Sequence, residues 1–286
     1  MEREVYLASE MGFCSGVRRA IKIAEQALRE LEEVRSLGPI VHNRQVVSYL
    51  EGQGLKVVES LEELGEGPVF IPSHGVGLEV LKKLRERGLR VIDATCPIVR
   101  RAQKVAQRLH RENFQVLVFG EAHHSEVRGI ISWAGGKAMA ALKAPQIFPL
   151  PHRLGVLSQT TQSLTRFNQF LAELLTSNLS QLLELRVFNT ICEATSKRQA
   201  AALELAGQVE QMIVIGGYDS ANTNRLAELC SSIVPTLHIE SAAELDLEEL
   251  EAKRIGVTAG ASTPDWVIQE VVEKLKRSAR KAKGLA

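Results

Sequence analysis

Asp93-Ala94-Thr95-Cys96-Pro97-Ile98-Val99-Arg100-Arg101 is a junction between two elements, and it recurs along the chain. The run Arg90-Val91-Ile92-Asp93 reads as a short strand, and Pro97 suits a first helical position, where no amide donor is needed. Cys96 therefore stands where a strand hands over to a helix. Gly12-Phe13-Cys14-Ser15-Gly16-Val17-Arg18-Arg19 has the same layout near the start, and Thr190-Ile191-Cys192-Glu193-Ala194-Thr195-Ser196-Lys197-Arg198 has it later. Each cysteine is followed, four to six residues on, by a basic pair. Cys96 lies 82 residues after Cys14, and Cys192 a further 96. A polar side chain follows each cysteine at 28 residues: His42, His124 and Ser220. Self-similarity at this period implies a repeated structural unit, with repeats over 1–95, 96–191 and 192–286.

Working outward, short apolar runs alternate with segments of helical periodicity. Strands are expected at 5–9, 37–42, 56–59, 68–72, 90–93, 115–119, 137–142, 153–157, 183–188, 212–215, 236–239 and 254–258. Helices are expected between them, including one over 243–251, and the basic tail from Lys274 onward is expected as a solvated helix end. Alternation of this kind predicts an α/β protein: three pseudo-repeated α/β domains with parallel sheets. Ligands of open α/β sheets bind beyond the carboxyl ends of the strands, and the Cys, His, Thr, Ser and Asn residues of interest fall there. Three such edges facing one another would surround one central cavity.

Composition sets bounds. The chain has 286 residues, 45% hydrophobic and 24% charged, with a formal net charge of +1. That balance gives no global electrostatic support for a nucleic-acid partner. No apolar run approaches a membrane span, and Met1-Glu2-Arg3-Glu4 lacks the pattern of a signal peptide. A cytoplasmic chain is expected, in which widely spaced cysteines are more often ligands or nucleophiles than disulfide partners.

Three thiolates without a fourth is an informative donor set. A cluster of four irons and four sulfides needs four ligands, so three cysteines leave one iron open to a substrate oxygen, as a catalytic zinc keeps an open position. Helix N-termini aimed at the cluster would help to hold its negative charge. Zinc held by three cysteines and a histidine is the inorganic rival, but structural zinc sites draw ligands as closely spaced pairs, and the sequence offers none. Cys230, on the apolar face of Leu226-Ala227-Glu228-Leu229-Cys230, reads as core. His42, His74, His124, Thr160, Ser220, Asn222 and Ser262, beside helix starts, make a cradle for phosphate oxygens. A buried carboxylate among them would carry a raised pKa and could donate a proton; Glu126 is the candidate. His123 is less well placed. No glycine-rich dinucleotide fingerprint follows a strand.

These motifs, with Val41-His42-Asn43-Arg44, Ser73-His74-Gly75-Val76, His124-Ser125-Glu126-Val127, Ser158-Gln159-Thr160-Thr161, Ser220-Ala221-Asn222-Thr223-Asn224-Arg225-Leu226 and Gly256-Val257-Thr258-Ala259-Gly260-Ala261-Ser262, resemble the 4-hydroxy-3-methylbut-2-enyl diphosphate reductase family. The resemblance runs through essentially the whole chain. It implies the terminal step of the methylerythritol phosphate route: reductive removal of an allylic hydroxyl, giving isopentenyl and dimethylallyl diphosphates. It implies an oxygen-sensitive [4Fe-4S] cluster on Cys14, Cys96 and Cys192, three α/β domains around it, and electrons from a ferredoxin or flavodoxin. By the same carry-over His42, His74, His124, Ser220, Asn222 and Ser262 hold the diphosphate, Thr160 orients the hydroxyl, and Glu126 leads proton delivery. Two positions depart from the family. Ala221 stands where a second serine is usual, leaving the backbone to supply that contact, and Ser125 replaces a common proline. A redox-neutral dehydratase using a similar cluster, and a non-enzymatic iron-sulfur sensor, are the competing classes.

Overall fold

The structure of the protein, a computed structural model, describes residues 3–31, 33–144, 152–248, 250 and 252–283. The chain begins β1 (Glu4–Leu7), α1 (Ser15–Glu30), β2 (Val34–Leu37), α2 (Arg44–Glu51), β3 (Leu55–Val58), β4 (Val69–Ile71), α3 (Leu78–Glu86) and β5 (Val91–Asp93). Next come α4 (Pro97–Arg111), β6 (Gln115–Phe119), α5 (Ser125–Trp133), β7 (Met139–Ala141), β8 (Arg153–Ser158), α6 (Leu164–Asn178) and β9 (Glu184–Phe188). The last part holds α7 (Glu193–Ala206), β10 (Gln211–Ile215), α8 (Ala221–Ser231), β11 (Thr236–Ile239), β12 (Arg254–Ala259) and α9 (Asp265–Lys283).

These strands form three four-stranded sheets, ordered β3-β2-β4-β5, β7-β6-β8-β9 and β11-β10-β12-β1, and every neighbouring pair is parallel. In each sheet the first of three consecutive strands lies second from the edge, and the fourth strand is the one that leads to a cysteine. β5 runs to Cys96 and β9 to Cys192. The strand that leads to Cys14 is β1, which pairs with β12, Val5 opposite Ile255. Sheet membership therefore departs from the expected span 1–95: the sheet of that stretch takes its strands from Val34 to Asp93, and the opening strand completes the sheet of the last third.

A parallel sheet buries both faces, so its strands carry apolar side chains on each. In the β10–β12 sheet, Met212 and Val214 face the buried Ala202, Leu205, Leu226 and Cys230, while Ile213 and Ile215 face Val267, Val271 and Leu275 of α9. The middle sheet divides likewise. Val116 and Val118 meet Ala102, Ala106 and Ile130, and Leu117 and Phe119 meet Phe167, Phe170 and Leu174. Phe119 stacks on Phe167 with centroids 5.5 Å apart.

Two expected elements differ. The strand expected at 37–42 is Val34–Leu37; Gly38, at φ +85°, turns the chain out of extension, so His42 arrives on a loop rather than at a strand end. The helix expected over 243–251 is a single 3-10 turn, Ala242–Glu244. Asp246 Oδ1 accepts the Glu248 N–H at 2.8 Å, a local bond that competes with helix, while Leu245 and Leu250 turn into the core; Glu249 and Glu251 lie outside the described residues. The basic tail is helical to Lys283, and the side chains of its last residues lie outside the description.

The chain divides into two compact units: Met1–Val17, His42–Val46 and Glu193–Ala286 in the first, and Arg18–Val41 with Val47–Cys192 in the second.

Candidate active site

In the first unit the carboxyl ends of β1, β12 and β10, adjacent in one sheet, hold the candidate residues. Gly12 takes φ +73°, and a Cβ there would meet Ile268 Cδ1 at 3.0 Å and Asp265 Oδ1 at 3.3 Å, so only glycine lets the loop lie against the start of α9. The Cys14 N–H then donates to the Ala261 carbonyl at 3.1 Å. Arg198 donates to the Gly12 carbonyl at 2.8 Å, and the Val17 N–H reaches Cys14 Sγ at 3.4 Å. The loop that presents this thiol is thus fastened by backbone from β12 and by a guanidinium from α7.

Ser262, six per cent exposed, donates its hydroxyl to the His42 carbonyl at 3.1 Å. His42 lies against the β10 end as well, since a Cβ on Gly217 would come within 2.8 Å of its carbonyl. Burial lowers the His42 imidazole below its usual range, with the Asp219 carboxylate opposing. Ser220 caps α8, accepting the Thr223 N–H; Ala221 opens the helix with its methyl buried. Asn222 is four per cent exposed, and neither its amide oxygen nor its amide nitrogen has a hydrogen-bond partner among the described residues. A buried polar group left unpaired costs about 1–3 kcal/mol, which marks this amide out among the side chains at the sheet edge.

In the second unit, β4 delivers His74, nine per cent exposed, whose Nδ1 donates to the Gly75 carbonyl at 2.9 Å. On the adjacent strand β5 leads to Cys96, whose N–H donates to the Ser73 carbonyl at 2.9 Å. Cys96 is the N-cap of α4 and Pro97 its first residue, as the junction reading expects. Arg19 donates to the carbonyls of Ala94 and Thr95, each at 3.3 Å, and Arg100 ion-pairs with Asp93.

The middle sheet assembles the second set from β6, β8 and β9. His124 caps α5: its Nδ1 accepts the Glu126 N–H at 3.1 Å, which leaves Nε2 to carry the hydrogen of the neutral ring. Glu126 is three per cent exposed. Its Oε1 accepts the Thr160 N–H at 2.7 Å and its Oε2 the Thr160 hydroxyl at 2.8 Å. Burial pushes this carboxyl up to about 7, against the lowering pull of the two Thr160 bonds. Thr160 in turn accepts the Cys192 N–H on its carbonyl at 2.9 Å. Acid, hydroxyl and cysteine backbone form one bonded chain. His123 is exposed, and Ser125, at the expected proline position, opens α5.

None of the three repeat cysteines is in a disulfide and all are half-buried, whereas Cys230 is fully buried in core, its thiol pushed up to about 11. Among the described residues no three His, Cys, Asp or Glu side chains gather as a single metal ion would require. A mononuclear ion draws every thiolate to about 2.3 Å, whereas a cluster distributes its thiolates over separate irons. The fit to a cluster rests instead on donor chemistry: three unbridged thiols, each at a strand-to-helix junction with its backbone anchored. Sequence reasoning gave no role to Gln159 and Thr223, which lie at the same sheet edges, are buried, and each keep a side-chain atom without a partner among the described residues. Their place inside the quoted motifs was the only signal.

Known proteins are similar to this chain in sequence and fold. A family model described as LytB protein matches residues 5–276. The 4-hydroxy-3-methylbut-2-enyl diphosphate reductase of Geobacter sulfurreducens is 47% identical over 285 residues, covering 98% of this chain and 100% of the relative. The protein of the same name from Dehalococcoides mccartyi is 45% identical over 278 residues, covering 96% and 98%. Among solved structures, the E-1-hydroxy-2-methyl-but-2-enyl-4-diphosphate reductase from Plasmodium falciparum superposes with a TM-score of 0.89 at 27% identity, over 96% of this chain and 88% of that one. A second structure, of an (E)-4-hydroxy-3-methyl-but-2-enyl diphosphate reductase described as the terminal enzyme of the non-mevalonate pathway, gives 0.69 at 39% identity, over 97% and 100%. With the fold, the order of the motifs and the full-length matches in agreement, the chain belongs to the LytB family, that of the 4-hydroxy-3-methylbut-2-enyl diphosphate reductases.

Proposed function

We propose that the chain reductively dehydroxylates (E)-4-hydroxy-3-methylbut-2-enyl diphosphate, consuming two electrons and two protons per turnover and releasing water with isopentenyl or dimethylallyl diphosphate. The observation that carries the reading is the buried Glu126 carboxyl bonded to Thr160, whose carbonyl holds the Cys192 N–H. A neutral carboxylic acid next to a hydroxyl that can touch substrate is what loss of a hydroxyl as water needs, because hydroxide is a poor leaving group and a positioned acid removes that penalty.

Cys14, Cys96 and Cys192 would hold a [4Fe-4S] cluster with one iron open. When bound it supplies a Lewis acid for the allylic oxygen and a path for the electrons. The chain's own residues do the rest. His42, His74, His124, Ser220, Asn222 and Ser262 bind the diphosphate, the Ala221 position contributing only backbone. Thr160 orients the substrate hydroxyl and relays the proton of Glu126. An electron donor of the ferredoxin or flavodoxin kind serves the reaction in the cytoplasm. Among the described residues no helix is long and apolar enough to cross a membrane.

The test is anaerobic purification with iron and sulfide counted per chain, then incubation with the allylic alcohol diphosphate and a strong reductant, with products identified by mass. Reductant-dependent formation of the two diphosphates is expected. Turnover without reductant would establish the dehydratase reading, and iron-dependent partner binding without consumption of the diphosphate would establish the sensor reading.

A further inference from the structure

Helix α4 carries a charge pattern that the substrate chemistry leaves unused. From Cys96 to Arg111 the chain has Arg100, Arg101, Lys104, Arg108 and Arg111 and no Asp or Glu, in a protein whose formal net charge is only +1. The cations recur at three- and four-residue spacing, which places them on one helix face, and a shallow surface groove is lined by Pro97, Arg100, Arg101, Lys104, Val105 and Arg108. Some of this charge is committed: Arg100 pairs with Asp93, and Arg108 pairs with Glu112 at 3.9 Å and lies over the Phe188 ring at 4.9 Å. Arg101 and Lys104 are exposed and have no acidic partner among the described residues. Arg19, on the Ala94 and Thr95 carbonyls, adds a cation beside the same helix start.

We propose that this face of α4 is the docking surface for the electron donor, a small acidic electron-carrier protein. The inference rests on the reading of Cys96 as a cluster ligand. The helix rises about 1.5 Å per residue, so Arg101 and Lys104 stand only about 8 and 12 Å along the axis from Cys96. Electrons reach a buried cofactor only across short gaps, and a carrier seated on these cations comes in at the end of α4 that holds the thiol. Each reduced carrier gives up one electron and leaves oxidised; two visits supply the pair that, with two protons, replaces the allylic hydroxyl by hydrogen and releases water, the diphosphate being retained. A small groove with exposed, unneutralised cations and a narrow apolar floor at Pro97 and Val105 suits such an encounter, since transient redox interfaces are small and electrostatically steered. The reading favours a protein over a nucleic acid, because the stripe is one helix long and the rest of the chain balances its charge.

The experiment uses the full chain, anaerobically loaded, with an acidic one-electron ferredoxin as the probe. Its binding is measured by calorimetry and its support of turnover as a function of donor concentration and salt. The double variant Arg101→Glu, Lys104→Glu is compared with wild type and with Lys276→Glu, a charge reversal on α9. The expected result is ferredoxin binding about ten-fold or more weaker in the double variant alone, with a raised KM for the donor and a flattened salt dependence. Turnover supported by reduced methyl viologen, a small cation with no use for a basic face, should stay within about two-fold of wild type. Three results would each overturn the proposal: equal ferredoxin binding in wild type and double variant, parallel loss of ferredoxin- and viologen-supported turnover, or a face that takes up a nucleic-acid duplex at physiological salt and ignores ferredoxin. Failure of the wild-type chain to bind iron would instead sink the cluster reading, and the binding comparison would still decide where the carrier sits.

Discussion

At the residue scale, Glu126 is the group with the sharpest consequences. The fold holds its carboxyl at about 7 through burial, whereas an unfolded glutamate titrates near 4.3. Between those values the folded chain keeps a proton that the unfolded chain has released, so stability should decline as pH rises from about 4.5 to about 7 and then level off. Glu126→Gln preserves both Thr160 contacts, since an amide can accept the N–H and donate to the hydroxyl, and should abolish that slope; urea midpoints of the two proteins across this range decide it. In catalysis the same variant should keep iron and substrate affinity while losing about 10²- to 10⁴-fold in turnover, and wild-type turnover should fall as pH passes about 7. Asn222 behaves in the opposite sense. Its buried amide has no partner among the described residues, so Asn222→Ala should leave stability unchanged or slightly raised and weaken inorganic pyrophosphate about ten-fold, by calorimetry. The type and order of these residues could be read in the sequence. Their mutual bonds could not, because Glu126 and Thr160 are 34 residues apart and only the pairing of β6 with β8 brings them together.

At the element scale, the repeated junction is what the sequence showed most plainly: a strand, a cysteine, then a helix, three times. The 28-residue rule resolves into capping chemistry. His124 and Ser220 are N-caps of α5 and α8, and in the first repeat the rule falls one residue early, on His42, while Asn43 accepts the Val46 N–H at the start of α2. Gly75 shows how little slack these junctions have. At φ +69° a Cβ would sit 2.7 Å from Gln103 Nε2 and 2.9 Å from Thr95 Cγ2, beside both His74 and Cys96. Gly75→Ala should therefore cost at least about 1 kcal/mol, whereas Gly67→Ala, with nothing within 4 Å, should change little; denaturant midpoints separate the two. The 3-10 turn at Ala242–Glu244 and the early end of β2 were hidden because each turns on a single local bond or a left-handed glycine rather than on periodicity. The α4 stripe escaped for a related reason: read linearly its cations are scattered, and only the helix aligns them.

At the scale of the whole molecule, the three sheets share one strand order, and their fourth strands lead to the three cysteines. Changing Cys14, Cys96 or Cys192 singly to Ser should abolish stoichiometric iron while leaving the circular dichroism of the fold unchanged. Cys230→Ser should do the reverse, keeping iron but weakening the core by about 1–3 kcal/mol, because it buries a hydroxyl among Leu226, Met212 and Val214. The three-fold repeat was legible from spacing alone. Its phase was not, because residue numbers do not reveal that the strand before Cys14 closes a sheet made by the far end of the chain.

That closure has a temporal side. The ribosome makes Cys14 before either of the other two thiols, yet its N–H waits for the Ala261 carbonyl and its leading strand waits for β12. At about 5–20 residues per second the delay is roughly ten to fifty seconds, during which Cys96 and Cys192 emerge. The earliest of the three thiols to be translated is the latest to have its backbone fixed in place, and a nascent chain halted short of Arg254 would leave the Cys14 loop without the strand and carbonyl that hold it.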